Sequence, residues 1–214
     1  MIPTEILIAG ETGSVERAAK LLLSGQLVAF PTDTVYGVGA PAFDATSVAA
    51  IYVAKERPPE KAIPVLIANE TDLARIADAV PENARALIAH FWPGALTLIL
   101  PKRPDVSEIV SSDATVAVRI PDLDPTRALL RLTGPLATTS ANCSGQPSPV
   151  TAADVVAQLG GRIAAVLDGG ACPGGVPSTV VDCVASPPRV LREGAIPFSA
   201  LNAIMPEIRR ISSN

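Results

Sequence analysis

The sequence predicts a single α/β domain with a twisted, open sheet of mixed parallel and antiparallel strands, flanked by helices. Short apolar runs typical of buried strands alternate with segments whose apolar residues recur at helical spacing. Some connections between strands near the C-terminus are too short to be crossovers between parallel strands, which favours some antiparallel strands. The chain has 214 residues, 48% of them hydrophobic, and can bury one core.

In the N-terminal half, the apolar pattern predicts helices at 15–23, 44–57 and 81–91 and strands at 27–30, 63–67 and 95–100. Ser14 is a candidate cap for the first helix, and Gly25 ends its pattern. Asp44 is a candidate cap for the second helix, which ends near Arg57 because two prolines follow. The hydroxyl- and glycine-rich segment 31–39 is predicted to be a polar loop.

In the C-terminal half, the pattern predicts helices at 124–134, 151–159 and 198–208 and strands at 115–120, 136–139, 163–167, 179–184 and 190–191. Asp124 is a candidate cap followed by Pro125 in the first turn, which is a preferred order at a helix start, and residues 151–154 have the character of a capping box. Residues 140–149 form a second polar loop. We find no internal repeat or linker, so we expect one domain over 1–214 with its core at about 14–208.

Composition excludes several classes of protein. Seventeen Lys and Arg against 21 Asp and Glu give a net charge of −4, the wrong sign for a domain that mainly grips a nucleic-acid backbone. Three cysteines without CxxC spacing indicate neither a disulfide framework nor a zinc site. The first five residues do not resemble a signal peptide, and the apolar stretch 84–100 is too interrupted to span a bilayer. We therefore expect a cytoplasmic protein outside the membrane.

A cationic segment supplies the first candidate ligand-binding residues. Lys55, Arg57 and Lys61 lie within seven residues, where two prolines prevent regular structure. A triphosphate requires several converging donors, and Arg supplies a planar fork while Lys supplies a compact charge. Spacing alone leaves a solvated charged turn as an equal alternative, because Glu56 and Glu60 offset much of the charge.

The second candidate segment is the polar loop that contains Ser140 and Asn142. Loops beyond strand ends commonly bind ligands in open α/β sheets, although turn formation alone also explains these residue types. No GxxxxGK(S/T) or GxGxxG loop occurs, and His90 is better explained as a packed histidine than as a base. Cations, hydroxyls and amides without proton-transfer groups favour nucleotidyl transfer driven by positioning and charge neutralisation.

Several segments together resemble the YrdC/Sua5/TsaC family of threonylcarbamoyl-adenylate synthases. They are PTDTVYGVGA (31–40), KERPPEK (55–61), FWPGALTLIL (91–100), TVAVRIP (115–121), TTSANCSG (138–145), PSTVVD (177–182) and VLREGAI (190–196). They run in order across nearly the whole chain, and the paired KxR and SxN elements are the family signature. The resemblance requires these two elements, far apart in the chain, to meet in the fold.

The resemblance implies a YrdC-like fold with a concave basic cavity. It also implies that L-threonine, bicarbonate and ATP yield threonylcarbamoyl-AMP and pyrophosphate, for the N6-threonylcarbamoyladenosine modification of tRNA. Mg²⁺ is expected with ATP, and no side chain is expected to bind a metal. The implied partners are these small substrates and a downstream tRNA threonylcarbamoyl-transfer complex, with weak or absent direct tRNA binding.

Residue by residue, the resemblance assigns two groups of contacts. It implies that ATP is bound by Lys55, Arg57, Lys61, Thr115, Ser140, Asn142, Ser148 and Arg192, with Lys55 and Arg57 also catalytic. It implies that threonine is bound by Thr34, Arg119, Thr138 and Ser178, with Arg119 as the bidentate clamp for its carboxylate. Many members have a histidine where this chain has Leu66, so only a backbone contact is expected there.

Longer Sua5 members carry a linker and a second C-terminal domain, and we expect this chain to be the short, single-domain form. Two alternatives stay open, namely a non-catalytic RNA-binding module and a carbamoyl-transferring YrdC-like enzyme. Acidic composition and few aromatic residues argue against the first, and the expected lack of further domains argues against the second. We expect alanine at position 55 or 57 to abolish product with little change in thermal stability, on the premise that both are surface charges.

Overall fold

The computed structural model describes residues 3–211, which form eleven strands and six α-helices. The strands are β1 (Glu5–Ile8), β2 (Val28–Phe30), β3 (Gly37–Pro41), β4 (Val65–Leu66), β5 (Leu96–Pro101), β6 (Thr115–Arg119), β7 (Leu136–Ser140), β8 (Ala165–Asp168), β9 (Thr179–Asp182), β10 (Arg189–Arg192) and β11 (Arg209–Arg210). The helices are α1 (Ser14–Leu23), α2 (Ala45–Lys55), α3 (Glu82–Phe91), α4 (Asp124–Thr133), α5 (Ala152–Leu159) and α6 (Phe198–Ile204). A 3-10 helix, Glu70–Arg75, precedes α3.

The strands form one open sheet in the order β1-β8-β2-β3-β7-β4-β6-β5-β9-β10-β11. Parallel pairs, such as β1 with β8 and β4 with β6, are mixed with antiparallel pairs, such as β3 with β7 and β5 with β6. The predicted mixed, open α/β sheet is therefore confirmed. The domain was predicted to extend over 1–214, and the argument against a signal peptide used the first five residues. Residues 1–2 and 212–214 lie outside the described residues.

Two apolar cores lie on opposite faces of the sheet. Along β2 the buried side chains alternate, with Val28 and Phe30 in one core and Ala29 in the other, as strand geometry requires. Helices α1 and α4 pack on the first face, and the remaining helices pack on the second. The sheet is thus flanked by helices on both sides. No helix in residues 3–211 is long and apolar enough to cross a bilayer.

Local capping signals determine several helix starts. Asp44 caps α2, because its carboxylate accepts hydrogen bonds from the backbone N–H groups of Thr46 and Ser47 at 3.0 and 3.2 Å. Thr151 and Asp154 form the predicted capping box at α5. The predictions of Ser14 and Asp124 as caps are wrong. Gly13, in the left-handed conformation, and Leu123 take the cap positions, so Ser14 and Asp124 are the first helical residues of α1 and α4.

Other differences from the prediction arise from pairing between distant segments. Residues 37–39, predicted as the end of a polar loop, belong to β3 (Gly37–Pro41), which lies between β2 and β7. β1 and the short β11 were not predicted, and each lies at an edge of the sheet. The last helix ends at Ile204 rather than 208, because residues 209–210 pair with β10. β3 and β11 depend on their partners, because Gly, Pro and Arg carry little strand signal. β1 contains Ile6, Leu7 and Ile8, which are strand-type residues that the prediction overlooked.

Candidate active site

A cavity of about 300 Å³ opens beside strands β3, β6, β7 and β9, and it collects most of the predicted site residues. Those that line it are Thr34, Arg57, Arg119, Thr138, Ser140, Ser148, Ser178 and Arg192. Lys55, Lys61, Thr115 and Asn142 do not line it. A larger cavity of about 630 Å³ lies between the 3-10 helix and α3, and it contains none of the predicted residues of the described chain.

Two glycines of β3 leave room for the side chains of β7. Gly39 pairs with Thr138, and Gly37 pairs with Ser140. A Cβ atom at position 37 would lie 2.7 Å from Thr138 Cγ2, and one at position 39 would lie 3.0 Å from Thr138 Oγ1. Because Gly37 and Gly39 have no Cβ atom, the Thr138 side chain fits between them and the cavity without a clash.

Arg119, at the end of β6, is held in one orientation by three hydrogen bonds. Its Nε donates to the carbonyl of Gly94 at 2.9 Å, and its Nη1 donates to Thr34 Oγ1 at 2.8 Å. Its Nη2 donates to the carboxylate of Asp33, and the two side chains are only 7% and 13% exposed. Burial lowers the pKa of this guanidinium, and the charge of Asp33 opposes that shift.

A second arginine fixes the start of β9. Arg192 donates from Nε and Nη2 to the carbonyl of Ser178 at 3.2 and 2.8 Å. The hydroxyl of Ser178 lies 2.8 Å from that of Thr97, which also lines the cavity. Ser178 therefore presents its hydroxyl from a position fixed through both its backbone and its side chain.

The KxR segment splits its two cations between different environments. Glu56 is the C-terminal cap of α2 and has the left-handed conformation, with φ 53°. The chain changes direction at this residue, so the side chains of Lys55 and Arg57 point to different places. Arg57 lines the cavity, with Nε and Nη2 donating to the carbonyls of Lys61 and Ala62 at 3.2 and 2.9 Å. Lys61 itself is exposed on the adjoining loop.

Lys55 lies behind the cavity wall and connects the KxR segment to the SxN segment. Its Nζ donates to the carbonyls of Ser140 and Asn142, and its own carbonyl accepts from the N–H of Ser144 at 2.8 Å. The residue is 1% exposed, and burial, with the nearby charge of Arg57, lowers its pKa to about 8. The two segments therefore meet. The premise that Lys55 is a surface charge is wrong.

Asn142 and Thr115 also lie away from the cavity. The Asn142 amide donates from Nδ2 to the carbonyls of Cys143 and Gln146, both at 2.8 Å, so it shapes the loop after β7. Its Oδ1 is buried without a hydrogen-bond partner among the described residues. Thr115 begins β6 opposite Pro101.

Prediction from sequence overlooked several side chains of the site, among them Thr32, Asp33 and Thr97. Thr32 Oγ1 lies 2.9 Å from Thr34 Oγ1, and Asp33 carries the carboxylate that pairs with Arg119. Both lie in the PTDTVYGVGA segment. An aspartate between two threonines, next to a predicted binding residue, was the available signal.

The donor set of the cavity suits anionic ligands. Among the described residues, its lining has three guanidiniums and several hydroxyls but no carboxylate and no imidazole. Within residues 3–211, no group of three or more His, Cys, Asp and Glu residues is placed to hold a metal ion. Such a site can bind carboxylates and phosphates, and its own side chains offer no general base. The concave basic cavity of the family stays a prediction.

Residues 20–194 match the Sua5/YciO/YrdC family model, whose description is "Telomere recombination". The chain is 44% identical over 194 residues to a threonylcarbamoyl-AMP synthase of Bacillus subtilis (strain 168), covering 89% of this chain and 56% of that protein. It is 41% identical over 201 residues to one of Pyrococcus abyssi (strain GE5 / Orsay), covering 93% and 59%. The chain thus spans less than two thirds of each of these relatives.

A solved structure of P. abyssi Sua5 complexed with L-threonine superposes with a TM-score of 0.92 at 39% identity. The match covers 99% of this chain and 62% of that one. Fold, sequence and the family signature therefore agree over nearly the whole described chain. The chain belongs to the Sua5/YciO/YrdC family.

Proposed function

We propose that this chain catalyses ATP-dependent synthesis of threonylcarbamoyl-AMP from L-threonine and bicarbonate, with release of pyrophosphate. The names of the two relatives and the threonine complex of the solved structure support this function over an RNA-binding module or another carbamoyl transfer. The observation that carries the proposal is one cavity shared by a fixed guanidinium at Arg119 and by the guanidiniums of Arg57 and Arg192. Such a cavity offers separate positions for a carboxylate and for phosphates.

Threonine would bind at the Arg119 end of the cavity. Three of the five guanidinium N–H groups donate to Gly94, Thr34 and Asp33, so one N–H remains on each terminal nitrogen within the described structure. These two groups suit the two oxygens of an amino-acid carboxylate. The hydroxyls of Thr34, Thr138 and Ser178 are the candidate partners for the polar groups of threonine.

ATP would bind where Arg57, Arg192, Ser140 and Ser148 line the cavity, with exposed Lys61 on the adjoining loop as a further cation. Mg²⁺ would arrive as part of the MgATP substrate, because the described lining offers hydroxyls but no carboxylate to hold the ion on its own. Lys55, Asn142 and Thr115 do not line the cavity, so they are not assigned to direct ATP contacts on this geometry. We propose that Lys55 and Asn142 set the position of the Ser140 loop, and a contact from Thr115 stays a prediction.

The proposed chemistry needs no side-chain base. The neutral amine of threonine and bicarbonate condense to a carbamate and water. A carbamate oxygen then forms a bond to the α-phosphorus of ATP, while the bond from that phosphorus to the β-phosphate oxygen breaks and pyrophosphate leaves with the electron pair. The protein contributes alignment of the two substrates and neutralisation of charge at the phosphates.

The product is a reactive mixed anhydride, so a consumer is expected nearby. We propose that a downstream tRNA threonylcarbamoyl-transfer complex takes it, in the cytoplasm, where ATP and tRNA are available. The net charge of −4 supports weak or absent direct tRNA binding by this chain.

The test is to incubate the purified protein with ATP, Mg²⁺, L-threonine and bicarbonate, and to detect threonylcarbamoyl-AMP and pyrophosphate by mass spectrometry. Omission of any one component should abolish the product. ATP turnover that does not depend on threonine, or salt-sensitive RNA binding without any turnover, would overturn the proposal. Arg103→Ala, which removes a cation outside the cavity, should behave as the unmodified protein.

A further inference from the structure

The three arginines of the cavity differ in what neutralises them. Arg57 donates to backbone carbonyls, and Arg192 donates to the carbonyl and the hydroxyl of Ser178, all of which carry no net charge. Only Arg119 is paired with a carboxylate, that of Asp33. Within residues 3–211, neither of the other two guanidiniums has a carboxylate oxygen within 4.0 Å. The positive charge of Arg119 is therefore neutralised by a carboxylate of the protein, whereas the charges of Arg57 and Arg192 are not.

Asp33 is fixed on the side of Arg119 away from the ligand space. Its Oδ1 accepts from Arg119 Nη2 and also from the backbone N–H of Asp122 at 3.0 Å. Thr32 and Thr34, its neighbours in sequence, line the cavity, and Asp33 does not. A Cβ atom at Gly174 would lie 2.5 Å from the Asp33 carbonyl, so this backbone is tightly covered. The carboxylate is built into the wall behind the guanidinium.

The compensation matters because both kinds of ligand expected in this cavity are anions. The charges of Arg119 and Arg192 act on one another, so an unpaired Arg119 would join Arg192 as a ready clamp for a polyphosphate. Paired with Asp33, Arg119 presents two N–H donors but no excess charge. A carboxylate can still use that fork, whereas a polyphosphate gains little from it.

We propose that Asp33 sorts the two substrates: by neutralising Arg119 it reserves that guanidinium for the amino-acid carboxylate and leaves nucleotide polyphosphate to Arg57 and Arg192. Asp33 is thus a positioning and specificity-determining residue that acts through Arg119. This inference rests on the proposed function, since it requires an amino acid and a nucleotide to share the cavity.

The test is Asp33→Asn, because the amide is the same size and its oxygen can still accept from Asp122 and Arg119. Binding of L-threonine is measured by titration calorimetry with and without inorganic pyrophosphate. In the unmodified protein, pyrophosphate should change the threonine Kd by less than about twofold. In Asp33→Asn it should raise the apparent Kd about tenfold or more, as a competitor, since loss of a neighbouring opposite charge is a change of this order.

Two further variants separate charge from structure. Asp33→Glu keeps the negative charge and should keep pyrophosphate from competing, even if threonine binds less tightly. Asp105→Asn removes the exposed carboxylate paired with Arg103, outside the cavity, and should match the unmodified protein. A purely structural role for Asp33 would weaken threonine binding without creating competition by pyrophosphate.

The outcomes are distinguishable. A folded Asp33→Asn protein in which pyrophosphate still does not compete with threonine overturns the sorting role. Competition between pyrophosphate and threonine in the unmodified protein overturns it as well, and this measurement does not depend on whether any variant folds. An unmodified protein that binds neither threonine nor ATP overturns the proposed function itself.

Discussion

The site contains two buried cations that are held in opposite ways. Lys55 donates to main-chain carbonyls at the end of β7 and directly after it, whereas Arg119 donates to two side chains and one carbonyl and retains unused donors. The first arrangement ties the cation to the path of the backbone. The second leaves donors free for a ligand. Burial and positive charge alone therefore do not indicate a ligand-binding residue. The better indication is whether the cation lines the cavity, as Arg119 does and Lys55 does not.

The difference extends to neighbours within a single motif. Lys55 and Arg57 are two residues apart, yet only Arg57 lines the cavity. The left-handed Glu56 between them carries the chain around the end of α2, and its carboxylate pairs with Arg162 at 2.6 Å. The KxR motif thus combines one cation that supports the wall with one that faces the ligand space.

The largest expected effect is on stability, at Lys55. Lys55→Met keeps much of the buried side-chain volume but leaves the carbonyls of Ser140 and Asn142 without their donor. Unsatisfied buried acceptors cost about 1–3 kcal/mol each, so for the two carbonyls we expect a loss of roughly 2–6 kcal/mol in the free energy of unfolding, measured by urea denaturation. Product formation should fall as well, because the Ser140 loop loses its support.

The matched control is Lys20→Met on the exposed side of α1, which should change the free energy of unfolding by less than about 0.5 kcal/mol. An equally small change for Lys55→Met would show that the Nζ contacts contribute little, and the contrast between the two cations would then be lost.

The next effect is on ligand binding, at Arg57. Arg57→Ala removes a guanidinium that lines the cavity and bonds only to carbonyls of its own loop. Hydrogen bonds to charged groups contribute about 1.5–3 kcal/mol, so ATP affinity should fall about 10- to 150-fold, with the free energy of unfolding changed by less than about 1 kcal/mol. Calorimetric titration with ATP and urea denaturation of the same protein provide both values. Retained ATP affinity would remove Arg57 from the phosphate site.

Much of the fold could be predicted from sequence because its signals are local. The cap at Asp44 and the capping box at Thr151 need only the next three residues, and all the predicted helices and strands are present with bounds shifted by a few residues. Strand β3 could not be predicted this way. Gly37 and Gly39 disfavour a strand in isolation, and they belong to one here because Phe30 and Thr138 on the flanking strands occupy the space beside them.

The site was predicted only in part, because some of its features depend on contacts between residues that are distant in the sequence. Residue types pointed to Arg57, and the family resemblance pointed to Arg119 and Ser178, but neither indicated which cation of the KxR motif lines the cavity. That choice depends on a left-handed backbone at Glu56, and glutamate carries no sequence signal for this conformation. The partnership of Asp33 with Arg119 joins residues 86 positions apart, so it appears only once β6 and the loop after β2 lie together.

The smallest expected effect is a pH dependence that belongs to Lys55 alone. Its pKa is lowered to about 8 in the folded chain from 10.5, so between these pH values the unfolded chain holds more protons than the folded chain. Lys55 therefore increases the free energy of unfolding as the pH rises through this window.

Because Met does not titrate, the stability difference between the unmodified protein and Lys55→Met isolates this contribution from ionising Cys and Tyr side chains. We expect that difference to widen by about 1 kcal/mol from pH 8 to pH 9, in urea denaturation at matched ionic strength. A difference that stays constant or narrows would mean that Lys55 keeps its proton in the folded state, with the carbonyls of Ser140 and Asn142 offsetting the cost of burial.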